Sequence, residues 1–328
     1  MHATLYEYTD QPAADDARER LDPIQLIKNR NIHKPLMSFE TAPLGRYYVL
    51  FPWTDCGSLE ELMTAGYWTP PSSEVFSWGL RQMVSLMDGL KALHDINVRH
   101  RALCPTNILL VGRPGSVTKE RRLVIAGLQP KPLREMGKVT YFRTVTNSRD
   151  KSVAGTVEDV RYQDDARTLH PIRGHGGPFS RKSDVWSIGV IFLEFIIWLF
   201  QGVEAIDNFR ESSGEINFDG YEVKLQADGE NEVFSRALGT LREVPRCAAG
   251  TVWRDLIDIL DNSVLAEESS RYTSAELHAR VEKMAMDAKA DHSYVFNGQP
   301  VKTLCFKPGN PDTESTQTKY LSVGGNWY

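Results

Sequence analysis

The sequence is short of the features that mark several large classes of protein. Its 328 residues hold only four cysteines, Cys56, Cys104, Cys247 and Cys305, which lie far apart and form no CxxC pair. This spacing supports neither a zinc site nor a disulfide framework, so we expect reduced thiols in an intracellular protein. Residues 1–20 are polar and acidic and lack the apolar segment of a secretory signal. The formal net charge of −5 gives no reason to expect the basic face that nucleic-acid binders usually show, so we expect no nucleic-acid partner.

Long apolar runs are also missing. The most apolar stretch, IGVIFLEFIIWLF, covers residues 188–200 and carries Glu194. Its 13 residues are too few to cross a bilayer, which takes about 20. The better interpretation is a helix buried on all sides in a large protein. We therefore expect no membrane association, and a location in the cytoplasm or the nucleus.

The first third of the chain predicts two helices around a β-hairpin. Residues 12–30 are typical of a charged helix that Pro23 ends or kinks. Two apolar runs within residues 34–52 flank the turn TAPLG, which predicts a hairpin. Apolar residues recur at steps of three and four over residues 74–94, as in a long amphipathic helix. Ser58, in GSLEEL, is placed to cap an intervening helix.

The remainder predicts a short β pair, an irregular segment and further helices. NILLV at 107–111 and RLVIA at 122–126 are strand-like, whereas residues 127–180 show no sustained period. Residues from about 290 onward are rich in Gly, Pro, Ser and Thr, which predicts poor order. The further helices are predicted over residues 183–200, 252–262 and 274–286.

The stretch HRALCPTN resembles the catalytic loop of protein kinases, H-R-D-L-K-P-x-N. His100, Arg101, Leu103, Pro105 and Asn107 match that pattern in order. A long predicted helix precedes the stretch and a predicted β pair follows it, as in the family. The proline in place of the A-A-R of tyrosine kinases favours the Ser/Thr branch.

Three further stretches resemble the same family. SRKSDVWSIGV is similar to the pattern S-D-V-W-S-x-G-V and matches it at Asp184, Trp186 and Gly189. YYVLFPWTDCGSLEELM resembles the kinase hinge, with Gly57 at the family's glycine, and SSRYTSAEL resembles a later segment that carries Arg271. The resemblance implies that Asp184 accepts backbone N–H bonds from the catalytic loop, that His100 packs in the core, and that Arg101 anchors the loop.

The resemblance implies an α+β, protein kinase-like fold. It places a partial N-lobe and hinge in residues 1–54, a mainly helical C-lobe in residues 55–290, and a poorly ordered tail in residues 291–328. The N-lobe is expected to be a fragment, one hairpin plus one helix, because no glycine-rich loop or V-A-x-K strand precedes the first helix. Glu19 is the nearest candidate for the helix glutamate that would pair with the absent lysine.

The catalytic residues of the family are largely replaced. Phosphoryl transfer needs a residue that orients the attacking hydroxyl and oxygen ligands for Mg²⁺. Ala102 stands at the catalytic aspartate and Cys104 at the loop lysine. Gly127, Leu128 and Gln129 occupy the positions of D-F-G, so the metal carboxylate is missing as well.

The remaining candidates for cofactor binding are weak. Asn107 alone survives among the metal ligands, and one neutral amide oxygen is a poor Mg²⁺ site. It is equally interpreted as an ordinary turn residue. In the hinge, Phe51 falls at the gatekeeper, Thr54 where an N–H would meet adenine, and Pro52 offers only its carbonyl. We expect no cofactor, or at most weak binding of ATP with Mg²⁺.

The segment 131–161 corresponds in position to an activation loop, and a solvated flexible loop is the alternative interpretation. The A-P-E motif has no clean match: YQDDA offers Tyr162 and Asp165 as partners for Arg271, in an uncertain alignment.

The sequence therefore predicts a catalytically inactive, kinase-like binding or scaffold protein. Degenerate kinase-like sequences of this type resemble those abundant in filamentous fungi. Two alternatives stay open: an active Ser/Thr kinase with an atypical site, and a truncated gene product.

The hairpin of residues 34–52 also carries a prediction about partners. Alone it would leave strand edges unpaired and side chains without cover. These side chains are Leu36, Phe39, Tyr48 and Leu50. The alternating segment Ala3–Thr9, a second copy of the chain or a partner protein should therefore cover it, and we favour partial covering by Ala3–Thr9 with a face left for association.

Overall fold

The computed structural model describes residues 2–8, 11–41, 46–54, 56–64, 72–112, 121–128, 139–143, 154–156, 180–212 and 232–296. Its strands are β1 His2–Tyr8, β2 Met37–Thr41, β3 Arg46–Pro52, β4 Ile108–Val111, β5 Arg122–Ile125, β6 Val139–Arg143 and β7 Ala154–Thr156. Its longer helices are α1 Gln11–Gln25, α2 Leu59–Thr64, α3 Ser73–Asp95, α4 Arg181–Gln201, α5 Val203–Ser212, α6 Glu232–Arg242, α7 Val252–Ile259, α8 Ser274–Ala290 and α9 His292–Phe296. The α+β class is thus confirmed, as are the hairpin, the β pair and each predicted helix, with ends shifted by a few residues.

The predicted hairpin is part of a five-stranded antiparallel sheet with the order β2-β3-β1-β6-β7. Strand β1 pairs with β3 from Ala3 opposite Pro52 to Tyr8 opposite Tyr47. The prediction that the N-terminal segment covers the hairpin is therefore confirmed. Burial alternates along β3, which places Val49 in the core beneath α1.

Two expectations about the sheet are wrong. Residues 127–180 are not irregular throughout, because they contain β6 and β7, which form a hairpin of their own. The first part of the fold is also more than one hairpin and one helix, since β6 pairs along the outer edge of β1. The physical reason is the row of unpaired N–H and C=O groups that a lone β1 would present at that edge.

The helices form a second layer around α4. Helix α4 is long and apolar enough to cross a membrane, but 83% of its most apolar window is buried inside the fold. This confirms its interpretation as a core helix. Helix α3 packs against α8 and β5 and buries Phe76, Leu80, Met83, Met87 and Leu90, the apolar positions of the predicted stripe.

The tail is ordered at its start. Residues His292–Phe296 form α9, where Val295 is buried and Tyr294 Oη donates a hydrogen bond to Asp255 (2.7 Å). The expectation of poor order from residue 291 is therefore wrong for this helix, because an apolar side chain and an anchored tyrosine hold it against α7. Residues 297–328 lie outside the described residues.

A buried ion pair explains the charge within the apolar helix α4. Glu194 is fully buried and accepts a hydrogen bond from Arg210 of α5 (2.8 Å). The same guanidinium makes two 2.6 Å bonds to Glu60 of α2. Burial acts to lower the pKa of Arg210, but the bonds to Glu60 and Glu194 raise it overall. One arginine thereby joins three helices.

We predict that Arg210→Met lowers the free energy of unfolding by ~3–5 kcal/mol, because it removes the cation that pairs with the buried carboxylate of Glu194. Urea denaturation measures the change. The matched control is Lys283→Met, which breaks an exposed pair with Asp287 (2.7 Å) and should cost about 0–1 kcal/mol. Adding Glu194→Met to Arg210→Met should restore part of the loss. Equal effects of the two single variants would contradict the prediction.

Candidate functional site

The site is organised by the carboxylate of Asp184 in the first turn of α4. Asp184 is buried, and its Oδ2 accepts the backbone N–H of His100 (2.8 Å) while its Oδ1 accepts that of Arg101 (2.9 Å). The ring of His94 on α3 bonds Oδ2 through Nε2 (2.9 Å) and Ser274 of α8 through Nδ1 (2.8 Å). The carboxylate thus joins the loop of residues 100–107 to α3 and α4, and through His94 to α8.

The charge state of Asp184 follows from these bonds. Burial acts to raise the pKa of the carboxyl, but the bond from His94 and the other nearby donors hold the pKa below its ordinary value. Asp184 is therefore ionised near neutral pH. The role that the kinase resemblance implies for it agrees with this geometry.

The loop carries backbone strain at Arg101. Its φ is 70°, in the left-handed region that non-glycine residues rarely adopt. Strain of this kind persists only where the surrounding structure enforces it. Here two successive N–H groups must point at one carboxylate, and the Arg101 side chain is left exposed.

His100 has a structural position. It is buried, its Nε2 lies 2.5 Å from the carbonyl oxygen of Ala126, and its Nδ1 accepts the backbone N–H of Ala102 (3.3 Å). Burial lowers the pKa of His100 to about 4, so the ring is neutral at pH 7. A neutral ring with Nδ1 accepting must donate its Nε2 proton to Ala126. The ring therefore joins the loop to the end of β5.

Asn107 and Gly127, the two positions that the kinase resemblance assigns to metal binding, are in contact with each other. Asn107 donates its Nδ2 proton to the carbonyl of Ala102 (2.7 Å). Gly127 has a φ of +73°, and a Cβ on it would lie 2.5 Å from Asn107 Oδ1 and 2.8 Å from Nδ2. The amide of Asn107 thus fills the space into which a side chain at position 127 would have to grow.

The remaining positions of the loop and of the segment after β5 hold apolar or neutral groups. Leu128 is fully buried, Ala102 presents a methyl group, and the Cys104 Sγ lies 3.0 Å from Thr106 Oγ1. Gln129 lies outside the described residues. Within the described ranges, no three His, Cys, Asp or Glu side chains form a group that could hold a metal ion.

The hinge residues meet a histidine that the sequence patterns did not single out. Phe51 is buried at the end of β3, and the ring of His33 is stacked on it with centroids 5.5 Å apart and planes 20° apart. The Nε2 of His33 lies 2.9 Å from the carbonyl oxygen of Pro52. Thr54 follows in a half-buried position. The carbonyl of Pro52, which the kinase resemblance offers to adenine, thus has a partner within the chain.

Two arginines complete the surroundings of the loop. On α1, Glu19 is exposed, whereas the next residue, Arg20, donates a hydrogen bond to the carbonyl of His100 (3.2 Å). Burial, and then the nearby charge of Arg101, lower the pKa of Arg20. The first helix therefore meets the loop through a cation.

Arg271 holds the start of α4 from the other side. It is buried and donates to the carbonyls of Lys182 (3.0 Å) and Ala266 (2.7 Å), with its guanidinium 5.0 Å from the ring centre of Trp186. Burial lowers the pKa of Arg271 to about 10. Its predicted partners, Tyr162 and Asp165, lie outside the described residues.

We predict that Asp184→Ala destabilises the fold, because the N–H groups of His100 and Arg101 lose their acceptor. Each buried unsatisfied donor costs ~1–3 kcal/mol. Chemical denaturation measures the loss, and Asp207→Ala, at an exposed position of α5, is the control. Because the folded pKa of Asp184 is depressed, its contribution is complete above the unfolded value of about 3.9 and is lost as pH falls through the folded pKa. An unchanged denaturation midpoint at pH 7 would contradict this account.

We predict that restoring the aspartate with Gly127→Asp destabilises the protein through Asn107. The positive φ costs ~1–2 kcal/mol for a residue with a Cβ, and the collision with Asn107 adds to it. Gly250→Asp is the matched control, since Gly250 has a φ of +83° and nothing within 4 Å of an added Cβ. In an Asn107→Ala background the penalty at position 127 should fall toward that of the control. A thermodynamic cycle that shows no coupling between 107 and 127 would refute the collision.

Comparison with known proteins bears on the origin of this arrangement. No protein-family model matches the chain. The chain is similar to the eukaryotic translation initiation factor 2-alpha kinase 1 of Plasmodium falciparum (isolate 3D7), with 22% identity over 234 residues. The similarity covers 67% of this chain but 13% of that protein, so the chain spans a small part of its relative's length. The chain therefore has a distant, kinase-like relationship, with which its mixed helix and sheet architecture is compatible.

Proposed function

We propose that this protein is a catalytically inactive, kinase-like binding or scaffold module. The observation that carries the proposal is the contact of Asn107 with Gly127, together with its hydrogen bond to the carbonyl of Ala102. A loop built in this way keeps its shape and has neither the base nor the metal carboxylate that phosphoryl transfer uses.

The magnitudes support this proposal over an active enzyme. Loss of a general base alone typically lowers a rate by ~10²–10⁴. Gly127 in place of the aspartate removes a charge that would hold Mg²⁺ against the phosphates. Both losses act on phosphoryl transfer itself.

The retained scaffold supports a binding role. Asp184, His94 and Arg271 hold the loop and the start of α4 in one arrangement, although none of them is placed to do chemistry. A loop held in a fixed arrangement without catalytic groups is suited to binding rather than to chemistry. We place this role inside the cell, in the cytoplasm or the nucleus.

The binding surface in this proposal is the outer edge of β2, and its occupant is a second copy of the chain. Strand β2 ends the sheet in the part of the chain that the structure describes. Met37 and Phe39 on this strand are 49% and 39% exposed, and Leu36 just before it is 48% exposed. An edge strand can pair antiparallel with its own copy about a two-fold axis, which would cover these side chains.

We predict that the protein transfers no phosphate to itself or to generic substrates. Incubation with γ-labelled ATP and Mg²⁺ should leave wild-type protein unlabelled. Millimolar ATP with Mg²⁺ should also leave its melting temperature unchanged. A ligand that binds only the folded state would raise that temperature. Labelling of the wild type that Asn107→Ala abolishes would overturn the proposal and establish an atypical kinase.

We predict that the wild-type protein self-associates and that Phe39→Lys shifts it toward the monomer, because a charge on the edge strand opposes pairing. Sedimentation velocity over a range of concentrations measures this. Met286→Lys is the control, since Met286 is an exposed apolar residue on α8, outside the sheet. Wild-type protein that stays monomeric at high concentration would exclude this surface as a self-association site.

A further inference from the structure

His33 lies between the end of β5 and the end of β3. Its backbone N–H donates to the carbonyl of Ile125 (2.7 Å), and the N–H of Ile125 donates to the carbonyl of Asn31 (2.9 Å). These bonds fix the segment 31–33 beside the end of β5, two residues before Gly127. From there the side chain reaches the end of β3, on the hinge side.

The imidazole makes two contacts with the hinge, one polar and one apolar. Its Nε2 is 2.9 Å from the carbonyl oxygen of Pro52, and its ring is stacked on Phe51. Burial lowers the pKa of His33 although the bond to Pro52 acts to raise it, so the ring is neutral at pH 7. A carbonyl accepts, so the neutral ring must carry its proton on Nε2.

These are the contacts that a purine base would use at the same place. A purine is a planar, nitrogen-containing ring that can stack on an aromatic side chain and donate an N–H to a carbonyl. The imidazole is the smaller of the two fused rings of a purine. His33 therefore offers the hinge, from within the chain, the same stacking surface and the same donor.

We infer that His33 is an internal occupant of a purine site, which keeps adenine away from the hinge of the wild-type protein. The inference rests on the proposed function, since it explains how the nucleotide site of an inactive, kinase-like protein is closed. It goes beyond the loss of catalytic residues, because those losses would not by themselves prevent a base from binding. Removal of the ring should leave a cavity with a free carbonyl acceptor.

The test compares wild-type protein with His33→Ala and His33→Val, two truncations of which either suffices if the other fails to fold. His33→Phe is the matched control, because it retains a stacking ring and loses the N–H donor. The probes are imidazole and adenosine, added without metal. Thermal shift and titration calorimetry measure their binding.

Adenosine should bind the truncated variants at least about tenfold more tightly than the wild type or His33→Phe, the factor that one hydrogen bond of ordinary strength supplies. Imidazole should stabilise only the truncated variants. Adenosine that binds wild type and variants equally, or that binds none of them while imidazole fills the cavity, would overturn the inference. Because adenosine carries no phosphate, this outcome is independent of whether the protein transfers phosphate.

Discussion

The arrangement of the loop depends on one buried carboxylate that must be satisfied by backbone N–H groups. Asp184 takes the N–H groups of His100 and Arg101 and the ring of His94 in a place that water does not reach. An unpaired charge there would be costly, so the loop conformation and the carboxylate require each other. The left-handed backbone at Arg101 follows from the same need.

With the loop held in this way, its chemistry could change without loss of the fold. Ala102 and Gly127 stand where the kinase pattern has carboxylates, and Asn107 packs beside Gly127. This contact opposes any larger residue at position 127, because the amide of Asn107 lies where the added Cβ would be. His33 has a comparable effect at the hinge, where it gives the Pro52 carbonyl a partner from within the chain.

Local patterns predicted the elements that are locally specified. The apolar stripe of α3 and the cap of α2 are predictable because their interactions join residues three or four apart. The backbone N–H of Glu61 donates to Ser58 Oγ, as the spacing implies. The hairpin β2–β3 was readable for a similar reason. The sequence patterns do not predict helices α5 and α6, and they predict an irregular segment where β6 and β7 form. Strand pairing with β1 joins residues more than a hundred positions apart, and no local period records such a partner.

The sequence by itself determined which groups are missing at positions 102 and 127. A methyl group at position 102 and a hydrogen at position 127 cannot accept a proton or hold Mg²⁺ in any fold, since these are properties of the residue types. Only the tertiary structure decided which side chains lie against one another. The approach of Asn107 to Gly127, of His33 to Pro52 and of Arg210 to Glu194 depends on how separate elements pack. Such contacts depend on the mutual positions of helices and strands, which cannot be deduced from the identity of one residue.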